Sequence, residues 1–271
     1  MPDKLGSVYD IIPQEFMRDP YYNPNKCCGV PIHPFVLGII GGSRTGKSDT
    51  AITTILKCDN FGRIEIYAKN IMEPIYQWIQ SWDVPDDVIM VTDDLDNLKP
   101  PEEFDHTIQT LIIVDDFVLD KKNKSVEEIA QRGMKQNISL IYISQSFYAI
   151  DKFIRQNFTY LILKSINSND DLKEIIRHFS IGTDPKDLLA MYKDAVKKKT
   201  DFLLIELHAK ESEKFRKNFD LVYNDGKWDK LPTSKLKDCG KLAVVKKSNK
   251  LNEIRNIKKI KDLEDKIKSK K

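Results

Sequence analysis

The sequence lacks any apolar run long enough to cross a membrane, although the chain has 271 residues. A transmembrane helix needs about 20 consecutive apolar residues, so the sequence predicts a protein with no transmembrane segment. The first residues, Met1 to Lys4, also lack the basic stretch followed by an apolar stretch that marks a secreted protein. The length allows one well-buried domain with an appendage.

Cysteine is scarce, and the four cysteines contain no C-x-x-C pair. This scatter favours a reducing compartment over a disulfide framework. A zinc site built from Cys27, Cys28 and His33 is an alternative. Adjacent cysteines rarely bind one ion, however, and the sequence offers no evident fourth ligand.

Charge is unevenly distributed along the chain, although the net charge is only +3. Residues 230–271 contain 15 lysines and arginines against 5 acids, whereas residues 1–229 contain 29 against 36. Within this tail, apolar residues from Leu251 to Ile267 recur every three or four positions, which predicts an amphipathic helix. We therefore assign residues 226–271 to a lysine-rich extension that suits a polyanion or docks on another helix; a merely solvated tail is the alternative.

A glycine-rich segment lies between an apolar run at 35–40 and a second apolar run at 51–56. It matches G-x-x-x-x-G-K-[ST] in the strand-to-helix setting that this phosphate-binding motif requires. The pattern predicts that Lys47 contacts the β- and γ-phosphates of ATP and that Ser48 binds Mg²⁺. A glycine-rich turn without a ligand is the alternative. The predicted nucleotide-binding residues are Gly41, Gly42, Ser43, Arg44, Thr45, Gly46, Lys47, Ser48 and Asp49.

Two later apolar runs end in polar residues that complete this site. The run 110–114 ends in Asp115 and Asp116, which is typical of a Walker B strand. We assign Asp115 to the metal and Asp116 to the attacking water. The run 138–143 leads to Gln145, a candidate sensor of the γ-phosphate or, alternatively, an ordinary loop residue.

Apolar strands alternate with helical segments over residues 34–207, which predicts a mostly parallel sheet with helices on both faces. The expected fold is therefore an α/β P-loop NTPase of the RecA-like, ASCE type, and we place this domain at 34–225. One of its helices, at 71–82, is expected to have Ile75, Trp78 and Ile79 on one face. Residues 1–33 are rich in proline and predict an extended arm that packs on its own domain or on a neighbouring subunit.

Taken together, these motifs resemble the genome-packaging ATPases of poxviruses, giant viruses and virophages, which belong to the FtsK-HerA superfamily. The resemblance spans about residues 34–222. Its most discriminating part is Gln145, at the end of a predicted strand, followed by the Phe-Ile-Arg-x-Asn pattern at residues 153–157. The segments that carry it are 41–48, 111–116, 141–146, 153–157, 201–206 and 214–220.

The resemblance implies a ring of five or six subunits that uses ATP to thread double-stranded DNA into a capsid, at a capsid or portal vertex. It places the protein in the host cytoplasm, at a viral factory, or in the virion. It also implies an arginine that reaches a neighbour's γ-phosphate. Arg132 is the first candidate for this role and Arg155 the second, while Arg44 can act in its own subunit.

One departure from the family pattern concerns the end of the Walker B strand. Many superfamily members have Asp-Glu there, whereas this chain has Asp115-Asp116. The shorter Asp116 side chain leaves room for a second hypothesis, an ATP-binding DNA scaffold with little turnover. A P-loop kinase acting on a small molecule is a third.

Overall fold

Ten strands form a single sheet in the computed structural model, which describes residues 12–13, 17, 19–117, 124–180, 183–224 and 226–231. The strands are β1 (Val36–Ile40), β2 (Arg63–Ala68), β3 (Ile89–Thr92), β4 (Thr110–Asp115), β5 (Ile138–Ser144), β6 (Tyr160–Leu163), β7 (Leu203–Glu206), β8 (Phe215–Lys217), β9 (Leu221–Asn224) and β10 (Lys227–Lys230). The helices are α1 (Lys47–Cys58), α2 (Pro74–Gln80), α3 (Lys124–Arg132), α4 (Lys152–Gln156), α5 (Asn169–Phe179), α6 (Pro185–Ala195) and α7 (Glu211–Lys214).

The sheet order is β10-β9-β8-β7-β6-β1-β5-β4-β2-β3. The six strands from β6 to β3 run parallel, and β7 to β10 extend the sheet as antiparallel strands. The predicted α/β class with a mostly parallel sheet is confirmed. The carboxyl ends of β1, β2, β4 and β5 therefore meet at one edge, where α/β sheets bind ligands.

Helices cover both faces of the sheet, as predicted. β1, β4, β5 and β6 are buried along their whole length, which explains why they read as continuous apolar runs. One hydrophobic core packs α3, α4, α5 and α6 against the sheet, and a second core packs α1 and α2 against the opposite face.

Helix α2 differs from the predicted 71–82 helix in its extent and in the face it buries. Pro74 is its first residue, and the helix has only seven residues. Tyr76 and Ile79 are buried against the sheet, whereas Trp78 is 50% exposed and stacks edge-on against Trp82. Tyr76 rather than Trp78 therefore joins Ile79 on the buried face of α2.

The described part of the N-terminal arm packs on its own domain. Val30 is buried, and the Asn25 side-chain amide donates to the Lys57 carbonyl oxygen at 2.7 Å. The two ring nitrogens of His33 lie 2.7 Å from Ser139 Oγ and 2.6 Å from Asn137 Oδ1, which leaves neither nitrogen for zinc. Cys28 is disulfide-bonded.

The sheet continues beyond residue 225, where the sequence pattern predicted the end of the domain. β10 pairs with β9 as a hairpin, and Leu231 is buried after it. The lysine-rich tail beyond Leu231, including the predicted amphipathic helix, lies outside the described residues. Among the helices that are described, none is long and apolar enough to span a bilayer.

Candidate functional site

The glycine-rich segment forms a tight loop between β1 and α1. Gly46 has φ 81°, a left-handed conformation that favours glycine, and it lies directly before Lys47 at the start of α1. A Cβ atom at Gly41 would lie 2.6 Å from the Lys164 Cβ, so only glycine fits there. The loop thus directs the positive end of a 12-residue helix toward the edge of the sheet, which is the geometry that binds phosphate.

Ser48 and Asp115 meet at this edge, as the sequence predicts for two ligands of one metal ion. The Ser48 hydroxyl donates to Asp115 Oδ2 at 2.9 Å. Hydroxyl and carboxylate oxygens are the ligands that Mg²⁺ prefers, so the pair fits this ion. Burial raises the pKa of Asp115, while the hydrogen bonds from Tyr76 and Ser48 oppose this rise.

Tyr76 is a further member of the site that the sequence analysis missed. Its buried hydroxyl also donates to Asp115 Oδ2. β2 lies beside β4 in parallel, so the loop and helix after β2 reach the same edge as Asp115. Tyr76 could have been identified only from the pairing of β2 with β4, and the sequence does not reveal this strand order.

Asp116 and Gln145 project from the ends of two neighbouring strands, β4 and β5. Asp116 has φ 62°, a left-handed conformation that aspartate tolerates better than most residues. The Gln145 side-chain amide donates to both Asp116 carboxylate oxygens, in long hydrogen bonds of 3.3 and 3.4 Å. Both side chains are exposed to the cleft, where a water molecule can reach them.

A cavity of about 590 Å³ joins these parts into one cleft. One wall comes from the phosphate loop and the strand ends, and the opposite wall includes Lys69, Asn70, Glu73 and Tyr76, which the sequence analysis did not identify. Gly41, Gly42 and Thr45 shape the loop without lining the cleft. The predicted residues that line it are Ser43, Arg44, Gly46, Lys47, Ser48, Asp49, Asp115, Asp116 and Gln145.

Lys47 lies among carboxylates in this cleft. Its ammonium group donates to the Gly42 carbonyl oxygen at 3.1 Å. Burial lowers the pKa of Lys47, and the charges of Asp115, Asp116 and Glu73 oppose this shift. These three carboxylates can accommodate a divalent cation, which would in turn balance the charge of a bound triphosphate.

Two of the three candidate arginines lie away from the cleft. Arg132, at the end of α3, forms ion pairs with Glu102 at 2.5 Å and Glu128 at 3.2 Å. The Arg155 guanidinium lies over the Phe147 ring, 4.9 Å from its centroid. Of the three, only Arg44 lines the cleft of its own chain.

The phosphate loop lies between a strand and a helix, and Ser48 is hydrogen-bonded to Asp115 at the end of a parallel strand. This arrangement defines a P-loop nucleoside triphosphatase. Within this class, the chain belongs to the poxvirus A32 protein family, whose model matches residues 75–224, more than half of the chain. The sequence resemblance to viral packaging ATPases is thereby confirmed. The match begins after the phosphate loop, which is identified by its own motif and geometry.

Solved structures with the same fold include packaging ATPases of two Sulfolobus viruses. The genome packaging NTPase B204 from Sulfolobus turreted icosahedral virus 2, in complex with ATP-gammaS, has a TM-score of 0.51 and 14% identity, over 68% of this chain and 96% of B204. B204 from Sulfolobus turreted icosahedral virus, described as the DNA-packaging ATPase, has a TM-score of 0.50 and 16% identity, over 69% and 98%. None of the curated proteins compared with this sequence matches it.

The hydrogen bond from Tyr76 to Asp115 leads to a prediction about metal binding. Tyr76→Phe keeps the buried ring but removes the hydroxyl that orients the Asp115 carboxylate. Removing such a supporting hydrogen bond typically costs about 10- to 100-fold in metal affinity. We expect the Mg²⁺ concentration for half-maximal ATP hydrolysis to rise by about 10-fold or more.

A magnesium titration of steady-state ATP hydrolysis measures this effect. Tyr223→Phe is the matched control, because Tyr223 packs against Trp228 in the β9–β10 hairpin. An unchanged magnesium requirement in Tyr76→Phe would show that the hydroxyl does not support the metal site.

Proposed function

We propose that this protein is an ATP-hydrolysing motor that moves double-stranded DNA into a viral capsid. The observation that carries the proposal is the hydrogen bond between Ser48 of the phosphate loop and Asp115 of the Walker B strand. It assembles a metal and phosphate site in a chain of the poxvirus A32 family. The structural relatives of the chain include a DNA-packaging ATPase, which is consistent with this function.

In the proposed reaction, ATP is the substrate and water attacks its γ-phosphate. Lys47 and the amides of the phosphate loop hold the β- and γ-phosphates, and Ser48 and Asp115 hold Mg²⁺. The bound metal neutralises charge that develops on the phosphates. Asp116 and Gln145 face the cleft beside this site and orient the attacking water.

We propose that the working form is a ring of five or six subunits in which an arginine stabilises a neighbour's γ-phosphate. Arg132 remains the first candidate and Arg155 the second. The two ion pairs of Arg132 are partly exposed to solvent, and such pairs are worth only about 0–1 kcal/mol each. Arg132 can therefore leave them at small cost. Arg44 lines the cleft and can act within its own subunit.

The proposed partners are double-stranded DNA and a capsid or portal vertex, and the proposed locations are the viral factory in the host cytoplasm and the virion.

We assign part of the DNA contact to the lysine-rich tail. Removing residues 232–271 preserves β10 and the buried Leu231, so the cut leaves the sheet intact. We expect weaker duplex binding with a shallower salt dependence. The slope of the logarithm of the binding constant against the logarithm of salt concentration decreases in magnitude by about 0.9 for each DNA phosphate that the shortened chain no longer neutralises.

Duplex DNA affinity measured over a series of salt concentrations tests the role of the tail. A control chain keeps the tail length but replaces the tail's lysines and arginines with glutamine, and it should behave like the truncation. A salt slope that is unchanged in both variants would assign the tail to docking on a portal, a capsid or a neighbouring subunit instead.

Steady-state ATP hydrolysis with and without long duplex DNA tests the proposed activity. The motor predicts turnover that rises when duplex DNA is added. Nucleotide binding and DNA binding without turnover would favour the scaffold hypothesis. Transfer of phosphate to a nucleoside or nucleotide instead of water would favour the kinase hypothesis.

A further inference from the structure

Glu73 lies on the wall of the ATP cleft that faces the Walker B strand. It immediately precedes α2, in the segment that follows β2, and it lines the same cavity as Lys47, Asp115, Asp116 and Gln145. The charges that act most strongly on its carboxyl group are those of Asp115, Lys47 and Asp116. Its position and its electrostatic neighbours therefore both place it at the site of the reaction.

The Glu73 carboxylate has no structural task within the described residues. Although Glu73 occupies the N-cap position of α2, its side chain makes no capping hydrogen bond. The side chain is half-buried, so water reaches it while the cleft partly desolvates it. A charged group that the fold holds in a cleft without using it for its own stability is a candidate for function.

Asp116, by contrast, already has a partner. Both of its carboxylate oxygens accept hydrogen bonds from the Gln145 amide nitrogen. This contact leaves the Gln145 amide oxygen available to accept a hydrogen bond from water. Glutamate is also one methylene longer than aspartate, so Glu73 can reach into the cleft from the opposite wall.

We infer that Glu73 is the general base of ATP hydrolysis, and that Asp116 orients Gln145 while Glu73 receives the proton of the attacking water. The inference rests on the proposed function, because it requires an ATP-hydrolysing site. It also accounts for the Asp-Asp ending of the Walker B strand, since the glutamate comes from the segment between β2 and α2 rather than from the end of β4.

The step balances without a further reactant. The water oxygen forms a bond to the γ-phosphorus, and the bond between that phosphorus and the bridging oxygen of ADP breaks. The bridging oxygen keeps the electron pair of the broken bond. The water proton passes to a Glu73 carboxylate oxygen and then to solvent.

The test uses Glu73→Gln in the full chain, with Glu73→Asp as a second variant and Glu103→Gln as the control. Glutamine keeps the size of the side chain but cannot accept the proton. Glu103 is exposed at the end of a short turn at residues 101–103. The readouts are kcat for ATP hydrolysis, affinity for a non-hydrolysable ATP analogue and the magnesium requirement.

We expect Glu73→Gln to lower kcat by about 100-fold or more, the usual contribution of a general base. Analogue affinity and magnesium requirement should stay within about threefold, Glu73→Asp should be intermediate, and Glu103→Gln should match the native chain. If the native chain hydrolyses ATP and Glu73→Gln does so equally fast, the inference is wrong while the proposed function stands. If excess Mg²⁺ restores Glu73→Gln, Glu73 supports the metal and the inference is again wrong. A native chain without any turnover overturns both.

Discussion

Lys47→Ala is expected to lower kcat for ATP hydrolysis by about 10²- to 10³-fold, the effect typical when one fixed donor to a developing negative charge is removed. Lys47 lies at the start of α1, at the base of the cleft, with Ser48 and Asp115 beside it. We expect its ammonium group to contact the γ-phosphate when ATP is bound. Without it, charge that develops on the phosphates during hydrolysis lacks its nearest compensation.

The decrease should not result from unfolding. Burial lowers the pKa of Lys47, so the fold disfavours its charged form, and its contact is a single hydrogen bond to the Gly42 carbonyl oxygen. We expect the melting temperature to change little. Lys57→Ala is the control, because Lys57 is an exposed lysine on the last turn of the same helix. Lys57→Ala should keep the turnover of the native chain, and equally retained turnover in Lys47→Ala would contradict the assignment of the phosphate loop.

Arg216→Ala is expected to lower the free energy of unfolding by about 3–5 kcal/mol, as when one partner of a buried ion pair is removed. Arg216 on β8 is 6% exposed and pairs with Glu206 on β7. It also donates to the Gly29 carbonyl oxygen at 2.6 Å, which fixes the arm to the sheet. Its removal leaves the Glu206 carboxylate partly buried and without this counterion.

Urea unfolding of the native chain and its variants measures this effect. Arg177→Ala is the control, because Arg177 pairs with Glu174 on the surface and is 73% exposed. Replacing both partners together, as Arg216→Met with Glu206→Leu, should cost less than Arg216→Ala, since no unpaired charge remains. A decrease below about 1 kcal/mol in Arg216→Ala would mean that solvent reaches the pair despite its burial.

Local pattern was sufficient to predict the centre of the site. The phosphate loop and the Walker B acids are contiguous in sequence, and each lies beside a buried strand whose apolar run is unambiguous. Parallel strands then bring their carboxyl ends together, so Ser48 and Asp115 meet as expected. Gln145 joins them because β5 lies between β1 and β4.

Residues contributed by less distinctive segments could not be predicted. Tyr76 and Glu73 follow β2, whose place next to β4 depends on strand order, and neither belongs to a recognised motif. Strands β8 to β10 are only three or four residues long and partly polar, so periodicity did not reveal them. The described part of the arm packs on its own domain through side-chain hydrogen bonds, such as that of Asn25, which leave no periodic signal.

The measurement that tests the central claim most directly is ATP-dependent displacement of a third strand from a triplex carried on long duplex DNA. A motor that moves along duplex DNA displaces the third strand only when it hydrolyses ATP. We predict displacement with ATP, none with a non-hydrolysable analogue, and none in Lys47→Ala. ATP hydrolysis that duplex DNA stimulates but that never displaces the third strand, in any assembly of the native chain, would contradict the claim that this protein translocates DNA.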